Sequence, residues 1–186
     1  QKMNLPLIYI QHHHAHIAAC IAEHGLDEKV IGIALDGTGL GDDGTIWGGE
    51  FFVCDLMDYE RKYYFDPVPL PGGDKATEEP WRTAVSYLFQ YFGADFPFQK
   101  QAFLKEIPSE RLNLLLQAIR LGINCPLSSG AGRLFDAVAA LTGLCTQATF
   151  HAEAPMLLES ALEVGCKSKY LFEIEDKRIV FKKLFY

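Results

Sequence analysis

The stretch that most restricts what this chain can fold into covers residues 30–56. Val30-Ile-Gly-Ile-Ala-Leu35 is an apolar run of strand length, and Asp36-Gly-Thr-Gly-Leu-Gly41 follows it with three alternating glycines. A short apolar run closed by a glycine-rich turn reads as a strand. Gly41-Asp-Asp-Gly44 then favours a hairpin, because Asp-Gly adopts the turns whose twist matches that of paired strands. Residues 45–56 return as a second strand containing Gly48 and Gly49, and residues 59–65 alternate as the third strand of an antiparallel meander. The G-x-x-x-x-G-K-[ST] phosphate loop is absent. A Rossmann glycine fingerprint leads into a helix, whereas this one leads into a strand.

The chemistry such a loop permits follows from its residue types. Gly37, Gly39 and Gly41 lack Cβ atoms, so backbone N–H groups can close around phosphate oxygens. Thr38 adds a hydroxyl, and Asp36 can hold a divalent cation directly or through water. The pattern also fits an ordinary glycine-rich hairpin, and both readings stand at this point.

Upstream, Tyr9-Ile-Gln-His-His-His-Ala-His16 puts four imidazoles in five positions. A helix beginning near His12 brings His12 and His16 onto one face, within reach of one metal ion. Imidazole suits zinc or iron, and a carboxylate from elsewhere would complete the site. The spacing is not H-E-x-x-H, so a metalloprotease base is missing. The alternative is a polar helix start whose histidines cap and hydrogen-bond. Under the metal reading His13 and His14 are left as supporting or structural residues.

At 186 residues, 49% hydrophobic and 22% charged, the chain is globular, with the length of one domain or one lobe of a larger one. No apolar run reaches membrane-spanning length and no secretory pattern opens the sequence, so the expected location is the cytoplasm, with no membrane partner. A net charge of −7 argues against nucleic acid as a partner. Five cysteines without a C-x-x-C pair read as reduced, mostly buried thiols.

The remaining segments predict an α/β fold, a mixed sheet with flanking helices. Residues 5–10 read as a short buried strand, and the histidine helix should stop at Gly25. Residues 67–74, with three prolines and two glycines, read as a loop. Glu78 and Glu79 open a helix reaching Phe92, and another starts at Pro108 and ends at Gly122. Residues 126–132 form a small-residue loop before a buried helix at 133–141; residues 153–164 are amphipathic, and residues 170–184 form a hairpin. Gly132 at a helix start and Asp136 one turn in could meet a nucleotide, the carboxylate binding ribose hydroxyls; the residues alone favour Asp136 as a cap or a buried partner for Arg133. Lys75 and Arg82 read either as phosphate contacts or as solvated cations.

Four blocks together carry a resemblance. Gln11-His-His-His-Ala-His-Ile-Ala-Ala19, the block from Gly32 through Asp36-Gly-Thr-Gly to Trp47-Gly-Gly-Glu50, Pro69-Leu-Pro-Gly-Gly-Asp-Lys75 and Gly132-Arg-Leu-Phe-Asp-Ala-Val-Ala-Ala-Leu141 resemble the C-terminal catalytic region of the HypF family of hydrogenase-maturation carbamoyltransferases. More distantly they are similar to the enzymes that make threonylcarbamoyl-adenosine and to antibiotic O-carbamoyltransferases. The resemblance implies an actin-like two-lobed ATPase fold and an iron or zinc ion held by His12 and His16, with Asp36 as ligand or phosphate partner. Gly37, Thr38 and Gly39 would cradle phosphate, and Gly132 and Asp136 would sit at the nucleotide. It also implies ATP or carbamoyl-adenylate as ligand, and a HypE-type partner protein whose C-terminal cysteine accepts the carbamoyl group. The family continues to a Gly-Gly-Val-Phe-Gln-Asn segment and a further Asp-Gly-Gly ligand carboxylate that are not in this sequence. Where it reads Thr-Tyr-Glu-Gly-Gln-Ala, this chain reads Thr149-Phe-His-Ala-Glu-Ala154. Residues 1–186 are thus expected to be a partial catalytic domain, the second lobe with its preceding metal-binding helix. Its exposed edges favour self-association. The competing expectation is a non-catalytic fragment that binds nucleotide, metal or a partner protein.

Overall fold

The computed structural model describes residues 5–186, which form six α-helices and seven strands. Helix α1 (His12–Glu23) starts where Gln11 is extended and its side-chain oxygen accepts the His14 N–H at 2.9 Å. That bond satisfies one of the donors a helix start leaves free. The helix stops before Gly25, whose φ of 61° sends its own N–H to Ala22 and the Leu26 N–H to Ile21. This is the left-handed ending that favours glycine.

Strands β1 (Val30–Leu35), β2 (Gly49–Cys54) and β3 (Tyr59–Phe65) form the expected antiparallel meander. The second strand begins later than expected, because residues 45–48 belong to the loop and are held by bridges from Ile46 to Leu40 and Ser128. After a long excursion, β6 (Glu173–Glu175) and β7 (Arg178–Val180) make the expected hairpin, though shorter. Strand β7 joins β3 in parallel, so the sheet is mixed, with order β1-β2-β3-β7-β6.

The two faces of this sheet differ. Gly32 and Ala34 of β1 turn toward α1, where Ile17, Ile21, Ala34, Trp47, Phe52 and Cys54 make a small cluster. On the other face Ile31, Ile33 and Leu35 are 78%, 56% and 57% exposed. Register continues that apolar row through Phe51 and Tyr63, and then through Phe65, Ile179 and Ile174.

The main core lies among α3 (Pro80–Phe92), α4 (Ser109–Leu121) and α5 (Ala131–Leu141). Trp81, Val85, Leu88, Phe98, Leu115 and Leu134 are among its buried side chains. Gly122 ends α4 in the left-handed conformation, as expected. Helix α6 (Glu153–Ser160) is shorter than the expected 153–164, with only Ala154 buried.

Three expectations need correction. Residues 5–10 form no strand: they pair with no strand among the described residues, and Leu5, Leu7, Ile8, Tyr9 and Ile10 lie exposed. An apolar run becomes a strand only when another strand supplies its backbone partners. The loop at 67–74 contains a strand, β4 (Val68–Pro69), paired with β5 (Leu127–Ser128), and is followed by the short α2 (Lys75–Glu78). Pro69 is tolerated because it ends a two-residue strand. Lastly, Cys54 and Cys145 are buried, but Cys20 and Cys166 are exposed; all five cysteines are free. Among the described residues no helix is long and apolar enough to cross a membrane.

Candidate metal centre

The first residue of α1 and the residue after β1 meet. His12 Nε2 lies 3.0 Å from Asp36 Oδ2 and 3.2 Å from His16 Nε2, and His16 Nε2 is 3.9 Å from the same carboxylate oxygen. The three donor atoms all fall within 4.8 Å of one another. With metal–nitrogen bonds of about 2.0–2.1 Å, two ligands at a tetrahedral angle stand roughly 3.3 Å apart. The spacing of the two imidazole nitrogens therefore fits a shared ion. The rings are 47% and 61% exposed and the carboxylate 35%, so the cluster has an open side.

Burial pushes the Asp36 carboxyl up, but the His12 side chain and the Gly37 N–H at 2.6 Å outweigh it and hold it below the ordinary carboxylate range. Asp36 is thus anionic at neutral pH, as a metal ligand must be. The two middle histidines turn elsewhere. His14 Nε2 meets the Asp55 carbonyl at 2.7 Å. His13 is fully buried, which lowers its pKa, and its Nδ1 faces the Gln11 amide at 3.2 Å.

The glycine loop is pressed between α1 and α5. A Cβ on Gly39 would lie 2.6 Å from both the His12 and His13 rings, and one on Gly132 would lie 2.9 Å from the Gly37 Cα. These glycines allow close backbone approach. The Gly132 N–H donates to the Asp36 carbonyl at 3.2 Å, which brings the start of α5 to the loop, while Thr38 is exposed. Gly37, Thr38, Gly39 and Gly132 thus gather at one loop–helix junction beside Asp36.

Asp136 is placed differently from a ribose ligand open to solvent. It is 2% exposed, and its Oδ2 accepts from Arg133 Nε at 2.7 Å. Burial pushes its carboxyl up to about 6 despite the opposing Arg133 guanidinium. Of the two sequence readings, partnership with Arg133 is the arrangement observed. Lys75 is paired with Glu78, and Arg82 and Arg111 both bind the buried Glu79.

Sequence reasoning gave no role to Glu50, Arg61, Asp43 or Ser129. Glu50 is fully buried, with Arg61 Nε at 2.6 Å from Oε2 and the Ser129 hydroxyl at 2.6 Å from Oε1. A carboxylate inside an otherwise apolar strand was the available signal, since buried charges need partners.

Residues 32–186 match the family described as "Carbamoyltransferase, Kae1-like Domain, second subdomain", and residues 1–23 match the HypF Kae1-like domain. Carbamoyltransferase HypF of Rhodobacter capsulatus is 45% identical over 86% of this chain and 21% of its own length. The Synechocystis HypF is 40% identical over 91% of this chain and 24% of its own. Full-length HypF, crystallised in a phosphate- and nucleotide-bound form, superposes with a TM-score of 0.88 at 43% identity, over 99% of this chain and 29% of that one. HypF of T. kodakarensis gives a TM-score of 0.87 at 35% identity, over 99% of this chain and 25% of that one. This chain therefore spans less than a third of each of these relatives. The chain belongs to the HypF carbamoyltransferase family, in its Kae1-like domain, and its mixed sheet with flanking helices agrees with that fold.

Proposed function

We propose that this chain forms part of a carbamoyl-transfer site. It takes the carbamoyl group from carbamoyl-adenylate and delivers it to the C-terminal cysteine of a HypE-type partner protein, on the route to the cyanide ligands of nickel–iron hydrogenase. The observation that carries the reading is the convergence of His12, His16 and Asp36 donors in a member of this family. Iron or zinc bound there would act as a Lewis acid on the carbamoyl or adenylate oxygen. In the transfer the cysteine sulfur bonds to the carbamoyl carbon, the bond from that carbon to the adenylate oxygen breaks, AMP leaves, and the thiol proton passes to solvent.

The residues divide this work. His12, His16 and Asp36 would hold the ion, with Asp36 supplying the anionic ligand. Thr38 and Gly39 offer backbone N–H groups and Thr38 a hydroxyl to the phosphate, while Gly37, whose N–H is held by Asp36 Oδ1 at 2.6 Å, lets the loop come close to it. Gly132 brings the start of α5 to the same anion, where the helix dipole favours negative charge. Asp136 serves the nucleotide end by fixing Arg133, whose guanidinium reaches the Gly37 carbonyl at 3.5 Å. The free cysteines support work in the cytoplasm, where thiols stay reduced. The reading includes neither nucleic acid nor membrane as a partner.

A second reading, a non-catalytic module that binds metal, nucleotide or a partner protein, is favoured by one observation: Asp136 is already paired and buried. The test is to supply metal, carbamoyl-adenylate and a partner with a C-terminal cysteine, and to follow carbamoylation of that thiol by mass spectrometry. Turnover sinks the binding-only reading. Metal binding without transfer by the chain favours the binding-only reading.

A further inference from the structure

We propose that Glu50 is a positioning residue for the metal centre, a buried carboxylate that fixes the backbone from which Asp36 projects. The inference rests on the metal-binding reading of His12, His16 and Asp36. Glu50 has no exposed surface. Its Oε1 accepts from the Ser129 hydroxyl at 2.6 Å, the Gly48 N–H at 3.2 Å and the Gly49 N–H at 3.4 Å. Its Oε2 accepts from Arg61 Nε at 2.6 Å. Arg61 is itself fixed, lying 3.8 Å from the ring centroids of both Trp47 and Tyr64 and 3.3 Å from Asp43.

The link from Glu50 to the site runs through Gly48. The Gly48 carbonyl accepts the Asp36 N–H at 2.7 Å and the Ala131 N–H at 3.1 Å, while the Gly132 N–H donates to the Asp36 carbonyl at 3.2 Å. Both backbone ends of Asp36 are therefore tied to a frame made by Gly48, at the entry to β2, and the start of α5. Glu50 holds the two sides of that frame together by binding Gly48, Gly49 and Ser129. The frame is close-packed at this point, since a Cβ at Gly48 would stand 2.5 Å from the Asp36 carbonyl oxygen. The geometry matters because the ligands come from separate elements. Two imidazoles ride on α1, and the carboxylate reaches them only if its loop is held at the observed separation.

A buried ion pair can be replaced by apolar groups with little loss of stability, so stability alone gives no reason for a charge here. Positioning makes a distinct demand: loss of Glu50 must weaken metal binding in a protein that remains folded. The experiment is titration with cobalt(II) alone and with zinc alone, read by cobalt absorption and by competition. The chains compared are wild type, Glu50→Gln, Ser129→Ala and Asp66→Asn. Asp66 is also buried and paired with arginine, 3.0 Å from Arg178, but it lies toward β7, on the far side of β2 from β1.

Glu50→Gln is expected to bind roughly 10–100-fold more weakly, the usual consequence of losing a group that orients a ligand, and to change the cobalt spectrum. Ser129→Ala is expected to lose affinity in the same direction by less. Asp66→Asn should lose stability with unchanged affinity and spectrum. Folded Glu50→Gln with wild-type affinity overturns the proposal. If Glu50→Gln fails to fold, wild-type affinity in Ser129→Ala overturns it instead. A wild-type chain that binds neither ion overturns this proposal and the metal reading together, so the two failures are distinguishable.

Discussion

The helical half and the α1–β1 half of this molecule are built to different specifications. Around α3, α4 and α5, fifteen buried side chains close into one cluster led by Trp81, Tyr87 and Phe98, with Arg82 and Arg111 both directed at the buried Glu79. Around α1 and β1 the corresponding cluster has six members, and the other face of β1 shows Ile31, Ile33 and Leu35 to solvent. The candidate metal ligands His12, His16 and Asp36 sit on the thinner half. Burial there is too small to order the site by packing alone, so polar ties take its place: Gln11 at the start of α1 and the Glu50 frame behind Asp36.

The largest expected effect tests the thicker half. Trp81→Ala, at a side chain 1% exposed, should cost about 3–5 kcal/mol in urea denaturation and reduce amide protection throughout the protein. Ile21→Ala should instead raise exchange mainly in α1, with α3 still protected. Equal loss of protection in α3 would break the comparison, because it would make the two clusters one cooperative unit.

The next effect is electrostatic and belongs to α5. The Asp136 carboxyl is pushed up to about 6 from 3.8 by burial, against the pull of Arg133 and the weaker influence of His151. The folded state thus holds this proton more tightly than the unfolded chain. The associated stability is complete below about pH 4 and is lost as pH rises through 6. A shift of two units corresponds to about 3 kcal/mol. Asp136→Asn should therefore gain that much on wild type between pH 4 and pH 7, in urea titrations run side by side. The opposite-signed contributions of Asp36, Asp43 and Glu79 are common to both proteins and cancel. Parallel curves would mean that Arg133 fully offsets burial.

Metal comes third, and it acts on the thinner half. Zinc at a hundred times its Kd should stabilise wild type by about 2.7 kcal/mol. His12→Ala combined with His16→Ala should abolish the accompanying rise in Tm. An undiminished rise in the double variant would remove the ion from this cluster.

These contrasts were unevenly legible in the sequence. The ends of α1 and α4 could be read because a glycine stop depends on one residue. The pairing of His12 with His16 could be read because the helical period alone sets it. Residues 5–10 could not, since an apolar run reads the same whether or not a partner strand covers it. Strands β4 and β5 hid for a related reason: two residues on each side, far apart in the chain, carry no periodicity. Glu50 and Arg61 were invisible as a pair until the register of β2 against β3 brought them together.

The smallest effect on stability falls at the edge of the sheet. Because the Asp36 N–H donates inward to Gly48, alternation turns the N–H and C=O groups of Ile31, Ile33 and Leu35 outward. An antiparallel second copy centred on Ile33 would set Ile31 against its Leu35, matching apolar rows and outward backbone groups at once. No proline, lysine or bulge guards β1, although natural edges carry such features to prevent pairing. We therefore expect the chain to self-associate through β1, and Ile33→Lys to leave it monomeric by light scattering while changing stability by no more than about 0.5 kcal/mol. A wild-type chain that stays monomeric at high concentration would overturn this. It would also sharpen the contrast between the halves, because exposed apolar side chains and free edge groups would then be insufficient to join two copies.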